Sequence, residues 1–177
     1  METLVSSQAI STVREVWWDI RPHPDFGTVE LRMCDGIPTL SEVAAVAALA
    51  QSLVAHLDAL DDRGFTLPRH RDWILRQNKW RAGRHGLETD LIVDERGRQE
   101  PMRQSIADLV DEVSPTAARL GCSDELAYVN KVLEVGPSYE RQRRVVADRP
   151  AEGDPHHDLK PVVDALVREL ATDELGA

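Results

Sequence analysis

The sequence is poor in the features that most quickly place a protein. Its 177 residues contain two cysteines, Cys34 and Cys122. That is too few for a disulfide scaffold, and they form no close-spaced metal pair. A reducing compartment is the simplest setting for them. Positive charge is also scarce: 21 Lys and Arg against 31 Asp and Glu give a formal net charge of −10. Proteins that grip phosphate backbones present basic surfaces, so a nucleic-acid partner is not expected. The N-terminus lacks the basic and apolar blocks of a secretion signal. No apolar run approaches the ~20 residues of a membrane span. There is no internal repeat and no low-complexity tract. What is present is ordinary for a globular chain, with 42% hydrophobic and 29% charged residues, and the length permits a real core. The expectation is a cytoplasmic protein with neither nucleic acid nor membrane among its partners.

One dense stretch stands against these absences: Trp17-Trp18-Asp19-Ile20-Arg21-Pro22-His23-Pro24-Asp25-Phe26-Gly27-Thr28-Val29-Glu30-Leu31-Arg32. It predicts two strands, Arg14 to Arg21 and Gly27 to Cys34, joined by a Pro-rich turn. Alternation places Thr28, Glu30 and Arg32 on one face, and Val29, Leu31 and Met33 on the other, the expected core face. With the turn at Pro22 to Asp25, Asp19 faces Thr28, Trp17 faces Glu30 and Glu15 faces Arg32. A slip of one residue would send Trp18 to that face instead. In either register a carboxylate and a guanidinium stand two residues apart on one face. They suit a surface ion pair worth about 0–1 kcal/mol. They also suit a cleft in which Glu30 holds Mg²⁺ and Arg32 clamps a phosphate or carboxylate with its planar fork.

Asp35 to Pro38 reads as a turn. Thr39 and Glu42 then form a capping box, opening a helix with Val46, Leu49, Ala50, Leu53, Leu57 and Leu60 at helical spacing. Gly64 ends it, and its apolar face is expected against the sheet. After Pro68 a second helix runs from Arg69 to His85, stopped by Gly86. It carries Trp73, Ile74 and Trp80 among Arg69, Arg71, Arg76, Lys79, Arg81 and Arg84. Asn78, Arg81 and His85 fall on one stripe, either a solvated basic face or an anion-binding face directed at the acidic strands. A small hairpin follows, with Leu91-Ile92-Val93 turning at Asp94 to Gly97 and returning through Gln99. Helices then dominate: Arg103 to Val113, ended by Ser114-Pro115 as the start of another; Asp124 to Glu134, capped by Ser123; Tyr139 to Ala147, capped by Ser138. A polar linker, Arg149 to Pro155, leads to a last helix, His157 to Leu175. The class is α+β.

The remaining chemistry-bearing residues have plain readings. Cys34 has no activating partner and is expected to be a buried, inert thiol. His156, His157 and Asp158 are better suited to solvent than to a metal. The Arg141-Gln142-Arg143-Arg144 cluster is expected at the surface or an interface.

Taken together, Trp17-Trp18-Asp19-Ile20-Arg21-Pro22, Gly27-Thr28-Val29-Glu30-Leu31-Arg32 with Asp35, Asn78-Lys79-Trp80-Arg81-Ala82-Gly83-Arg84-His85-Gly86, and Ser138 with Arg141-Gln142-Arg143 resemble the bacterial carboxylate-amine ligases of the glutamate-cysteine ligase type 2 family. The resemblance runs in order to about residue 146. It implies part of a glutamine-synthetase-like catalytic fold, an antiparallel sheet portion packed with several helices. It also implies ATP-dependent joining of glutamate's γ-carboxylate to the amine of cysteine, or of another small amine, through an acyl phosphate, as in glutathione biosynthesis. Mg²⁺ is the implied cofactor and ATP the co-substrate. Glu30 matches the metal-ligand glutamate of the strand motif and Arg32 its phosphate-facing, catalytic arginine. Asn78, Arg81 and Arg84 match a motif expected to bind substrate or nucleotide.

The resemblance covers only the C-terminal half of such an enzyme. A Gly-x-Glu-x-Glu strand supplying further metal-binding carboxylates has no counterpart here, so the chain is expected to be inactive or very weak alone. It could belong to a homo-oligomer or work with a chain supplying the missing half. The alternative from another class is a non-catalytic remnant that binds nucleotide or a partner ligase. The expected division is 1–148 as the C-terminal portion of the catalytic domain and 149–177 as linker and terminal helix.

Overall fold

Gly27, at φ +59°, closes the first hairpin. The amide of Phe26 donates to His23 O at 3.2 Å and that of Gly27 to Pro24 O at 3.3 Å. The turn is therefore Pro24 to Gly27, two residues later than the prolines alone suggest, because the strand re-entry needs the residue that adopts a left-handed conformation without strain. The strands are correspondingly short: β1 (Ile20–His23) and β2 (Thr28–Leu31). They follow a short helix, α1 (Glu2–Ser6), and a single 3-10 turn, Val13–Glu15, where strand was expected. Arg21 pairs with Glu30, the place expected of Trp17, and His23 pairs with Thr28. The displacement is four residues, an even number, so the faces survive while every cross-strand partner changes.

The computed structural model describes residues 2–67, 69–148 and 159–176. Two compact units divide the chain, Met1–Gly36 and Ile37–Ala177. The predicted linker and His156, His157 and Asp158 lie outside the described residues.

The second unit is built on α2 (Leu40–Asp62), α4 (Met102–Leu120) and α5 (Ser123–Val135), which pack on one another. Their core is Ala45, Ala48, Val110, Val113, Ala117, Leu126 and Val129, flanked by Leu49, Leu53 and Ile106. The small residues of α2 face inward. Val46 and Leu57, expected in its core face, are exposed, and within its unit the helix packs against α4 and α5. Alanines let helix axes approach closely, and Ala45 and Ala48 at spacing three make the contact stripe. The charge-free run from Val43 to Leu57 also gives α2 the length and mean hydropathy, 1.6, of a membrane span, which a count of consecutive apolar residues misses.

Helix α4 runs through Pro115, where a break was expected. A proline costs an interior hydrogen bond. Here buried Val110 and Val113 before it and Thr116 and Ala117 after it hold both halves in the core, and Ser114 Oγ donates to Val110 O at 2.7 Å. Ser123 and Ser138 are the first helical residues rather than caps. Between α2 and α4 lie α3 (Asp72–His85) and the hairpin β3 (Asp90–Ile92) and β4 (Gln99–Pro101), close to the predicted positions.

Helices α6 (Ser138–Ala147) and α7 (Lys160–Thr172) pack together. Arg141, expected at the surface or an interface, is 4% exposed. Its guanidinium donates to Glu42 Oε1 and Oε2, both at 3.0 Å, to Glu169 Oε1 at 2.7 Å and Oε2 at 3.1 Å, and to Gly136 O at 2.7 Å. Burial opposes the charge on Arg141, but the hydrogen bonds from its two carboxylates outweigh that and hold its pKa above the usual value. The capping box is thereby modified. Thr39 Oγ1 accepts the Glu42 amide at 3.2 Å, while the Glu42 carboxylate takes the Thr39 hydroxyl and Arg141. A second tie joins α7 to α2, where Asp173 accepts the Ser41 amide at 2.9 Å and the Ser41 hydroxyl at 2.6 Å. These bonds hold the Asp173 carboxyl below its ordinary value.

Candidate functional site

In the first unit the polar face of the hairpin gathers Arg21, Glu30 and Arg32. Arg32 Nη1 donates to Glu30 Oε1 at 2.9 Å, and Arg21 pairs with Glu30 Oε2 from across the ladder. The Arg32 guanidinium lies over the Trp17 ring, 4.8 Å from its centroid, a cation–π contact. The Arg21 side chain is 13% exposed against 42% for Glu30, and its Nε is buried without a hydrogen-bond partner. Arg21 Nη1 also donates to Arg14 O at 3.4 Å, so the two guanidiniums share one carboxylate. Arg21 was missed at the sequence level because the assumed register put Trp17 opposite Glu30. The pairing of Arg21 with Glu30 was the signal, visible only once Gly27 was taken as the end of the turn.

The opposite face is apolar and open. Val29 and Met33 are each 53% exposed, and Ile20 and Leu31 are also exposed, contrary to the expected core face. A two-stranded ribbon in a 36-residue unit has little with which to cover itself. Cys34 is exposed too, not buried.

In the second unit, the motif on α3 splits between two faces. Asn78 turns toward the β3–β4 hairpin: Nδ2 donates to Ile92 O and Oδ1 accepts the Ile92 amide, each at 2.9 Å. The side-chain amide thus serves β3 as a strand neighbour would, which requires one donor and one acceptor in that order. Arg81 Nη1 donates to Asp90 O at 2.8 Å and Gln99 Oε1 at 2.6 Å, joining the two strands. Arg84 is on the other face. With Arg76, Lys79, Trp80 and Gly83 it lines an open groove of about 480 Å³. Asn78 and Arg81 therefore position the hairpin, while Arg84 faces solvent beside an indole. Asn78→Asp keeps the shape and loses the donor, so it is expected to destabilise the chain by about 1–3 kcal/mol, measured by urea unfolding.

The end of α3 is fixed by a polar network that sequence reasoning did not find. Tyr139 Oη accepts the Leu87 amide at 2.8 Å and donates to Glu140 Oε1 at 2.9 Å. Arg103 Nη2 reaches Glu140 Oε1 at 2.6 Å and Glu88 Oε1 at 2.8 Å, and Arg103 Nη1 reaches Leu133 O at 2.7 Å. Burial, then the Glu140 carboxylate, pushes the Tyr139 hydroxyl above its ordinary pKa against the opposing Leu87 amide, keeping it a donor. Hydrogen bonding to Glu88, and then to Glu140, raises Arg103 despite the cost of burial. Gly86, at φ +60°, lies beneath this ring: a Cβ there would sit 2.0 Å from Tyr139 Oη. Gly86→Ala is expected to cost more than the roughly 1–2 kcal/mol of a left-handed residue alone. Tyr139→Phe should not rescue it, because the ring carbon Cζ would still lie 2.3 Å from that Cβ; thermal melts of the single and double variants check this.

Among the described residues no three His, Cys, Asp or Glu side chains converge on a metal position. Both oxygens of Glu30 meet arginines. Mg²⁺ requires near-octahedral oxygen ligation, so these residues do not by themselves build its site. What they build is a cluster rich in guanidinium and poor in carboxylate, in an α+β chain. The chain belongs to the glutamate-cysteine ligase family 2, whose model matches residues 2–165. It is 52% identical over 172 residues to "Putative glutamate--cysteine ligase 2-1" of Frankia alni, covering 97% of this chain and 44% of that protein. It is 49% identical over 170 residues to a similarly named protein of Thermobifida fusca, covering 96% and 41%. The chain thus spans less than half the length of these curated relatives.

Proposed function

We propose that these 177 residues form the cation-bearing portion of an ATP-dependent carboxylate-amine ligase of the glutamate-cysteine type, with a glutamine-synthetase-like catalytic fold completed by sequence outside them. The observation that supports this most directly is the convergence of Arg21 and Arg32 on Glu30 in a member of this family. In the proposed reaction the γ-carboxylate of glutamate attacks the terminal phosphorus of ATP, releasing ADP. The amine of cysteine or another small amine then attacks the acyl carbon, expels phosphate and loses a proton. Both steps place negative charge on phosphate oxygens, which fixed guanidiniums stabilise. Glu30 orients the two arginines; with both its oxygens on guanidiniums, the oxygen ligands that Mg²⁺ needs would have to come from sequence outside these residues. Arg84 is assigned to nucleotide binding from its groove. Asn78 and Arg81 hold the β3–β4 hairpin on the opposite face of α3.

The test is a coupled assay of ADP release with glutamate, cysteine and Mg²⁺. The isolated chain should show no turnover, and the chain linked to the portion of the Frankia alni relative that it lacks should turn over. Turnover by the isolated chain would overturn the assignment of the missing ligands.

A second reading, binding of nucleotide without product formation, is favoured by the groove of Arg76, Trp80 and Arg84, which lies entirely within one unit. Calorimetry with Mg·ATP on the isolated chain separates the two: heat of binding that Arg84→Ala abolishes, with no turnover in the linked protein, selects the second.

A further inference from the structure

Helix α2 buries one side and leaves the other bare. Ala45, Ala48 and Ser52 are buried, whereas Leu40, Val43, Val46, Val54 and Leu57 are exposed. The exposed residues recur at spacings that keep them on one stripe, and Val43 to Leu57 alone extends about 21 Å along the axis. Val43 is 45% and Val54 54% exposed, and only 17% of the most apolar window of the helix is buried. An apolar stripe of this length on a helix already held in a core marks a contact surface.

Charge selects what covers it. The helix contains no Lys or Arg, and the stripe ends among Asp58, Asp61 and Asp62. A helix lying on an anionic lipid surface carries basic residues beside its apolar face, so a membrane is disfavoured. A second copy would set one chain of net charge −10 against another, so self-association is disfavoured as well. The relatives, matched over nearly the whole of this chain, continue for more than its own length again. We infer that the exposed stripe of α2 is the seat of the portion of the ligase lying outside these 177 residues, whether linked or supplied by another chain. Family membership and the relatives' length carry this assignment. The ligase chemistry does not enter it, so absence of turnover leaves it standing.

The test is thiol accessibility. V54C is made in a C34S background, and maleimide labelling at the introduced site is followed by mass spectrometry. In the 177-residue chain, labelling should proceed at the rate of an exposed cysteine. In the same chain linked to the missing portion of the Frankia alni relative, it should slow at least tenfold. V54K in the linked protein should lower its melting temperature while leaving that of the 177-residue chain unchanged. Equal labelling rates in the two proteins overturn the inference. So does protection in the 177-residue chain that grows with its own concentration, or that appears on adding phosphatidylglycerol vesicles.

Discussion

Arg141→Ala is expected to destabilise the second unit by about 3–5 kcal/mol, seen as a lower urea midpoint with little change in slope. The Glu42 and Glu169 carboxylates are each bonded to one guanidinium inside the protein. Removing it leaves two negative charges buried within reach of each other. The corresponding fall in melting temperature is roughly 10 °C for a chain of this size. Replacing all three residues by apolar side chains of similar volume should cost far less, because the desolvation of the charges disappears along with their attraction. If Arg141→Ala unfolds at the wild-type midpoint, the cluster is hydrated in solution and does not clasp the C-terminal helix. Limited proteolysis adds a local reading. Release of α7 ahead of global unfolding should appear in Arg141→Ala and not in the apolar triple variant.

The residues that make this cluster show what the sequence can and cannot disclose. Glu42 was visible as the acidic member of a capping box, and half of the box is there, the Thr39 hydroxyl accepting the Glu42 amide. That its carboxylate would turn instead to Arg141, 99 positions away, was not visible, because local spacing carries no information about a contact of that range. Arg141 itself sat in a run of basic residues and was assigned to the surface on that ground. Its position within α6 faces α2 and α7, and only the packing of three helices makes it a core residue. The helices themselves were legible within a few residues, since turn glycines such as Gly86 and Gly136 bound them. The exceptions are α1, where no helix was expected, and α4, where the local penalty of Pro115 was outweighed by four buried side chains around it.

The first hairpin was legible in kind and wrong in register. Proline-rich sequence offers several turn positions, and the decisive one, Gly27, depends on a left-handed backbone angle rather than on composition. An even displacement preserved Glu30 and Arg32 on one face. It also replaced an indole by a guanidinium as the neighbour of Glu30, changing the chemistry of the face more than its geometry. For the α3 motif, sequence placed Asn78 and Arg81 on a shared stripe. It could not show that this stripe is occupied by Ile92, Asp90 and Gln99, leaving Arg84 on the open side.

Arg21 and Arg32 provide the largest expected effect on activity. In the chain linked to its missing portion, Arg21→Ala and Arg32→Ala should each lower kcat/KM for glutamate-dependent ADP release by about 10²–10³-fold, the range for removing one fixed donor from developing charge. Arg21→Lys should restore little. An ammonium cannot reproduce a planar fork that bonds Glu30 while presenting another N–H to the substrate. Glu30→Gln should also fall, because the neutral amide no longer holds both guanidiniums in place. A merely structural role predicts a different pattern. Partly exposed ion pairs contribute only about 0–1 kcal/mol to stability, so all these variants should melt close to wild type. Loss of kcat without loss of fold assigns the two arginines to the transferring phosphoryl group, whereas wild-type turnover in Arg32→Ala would exclude the hairpin from the chemistry.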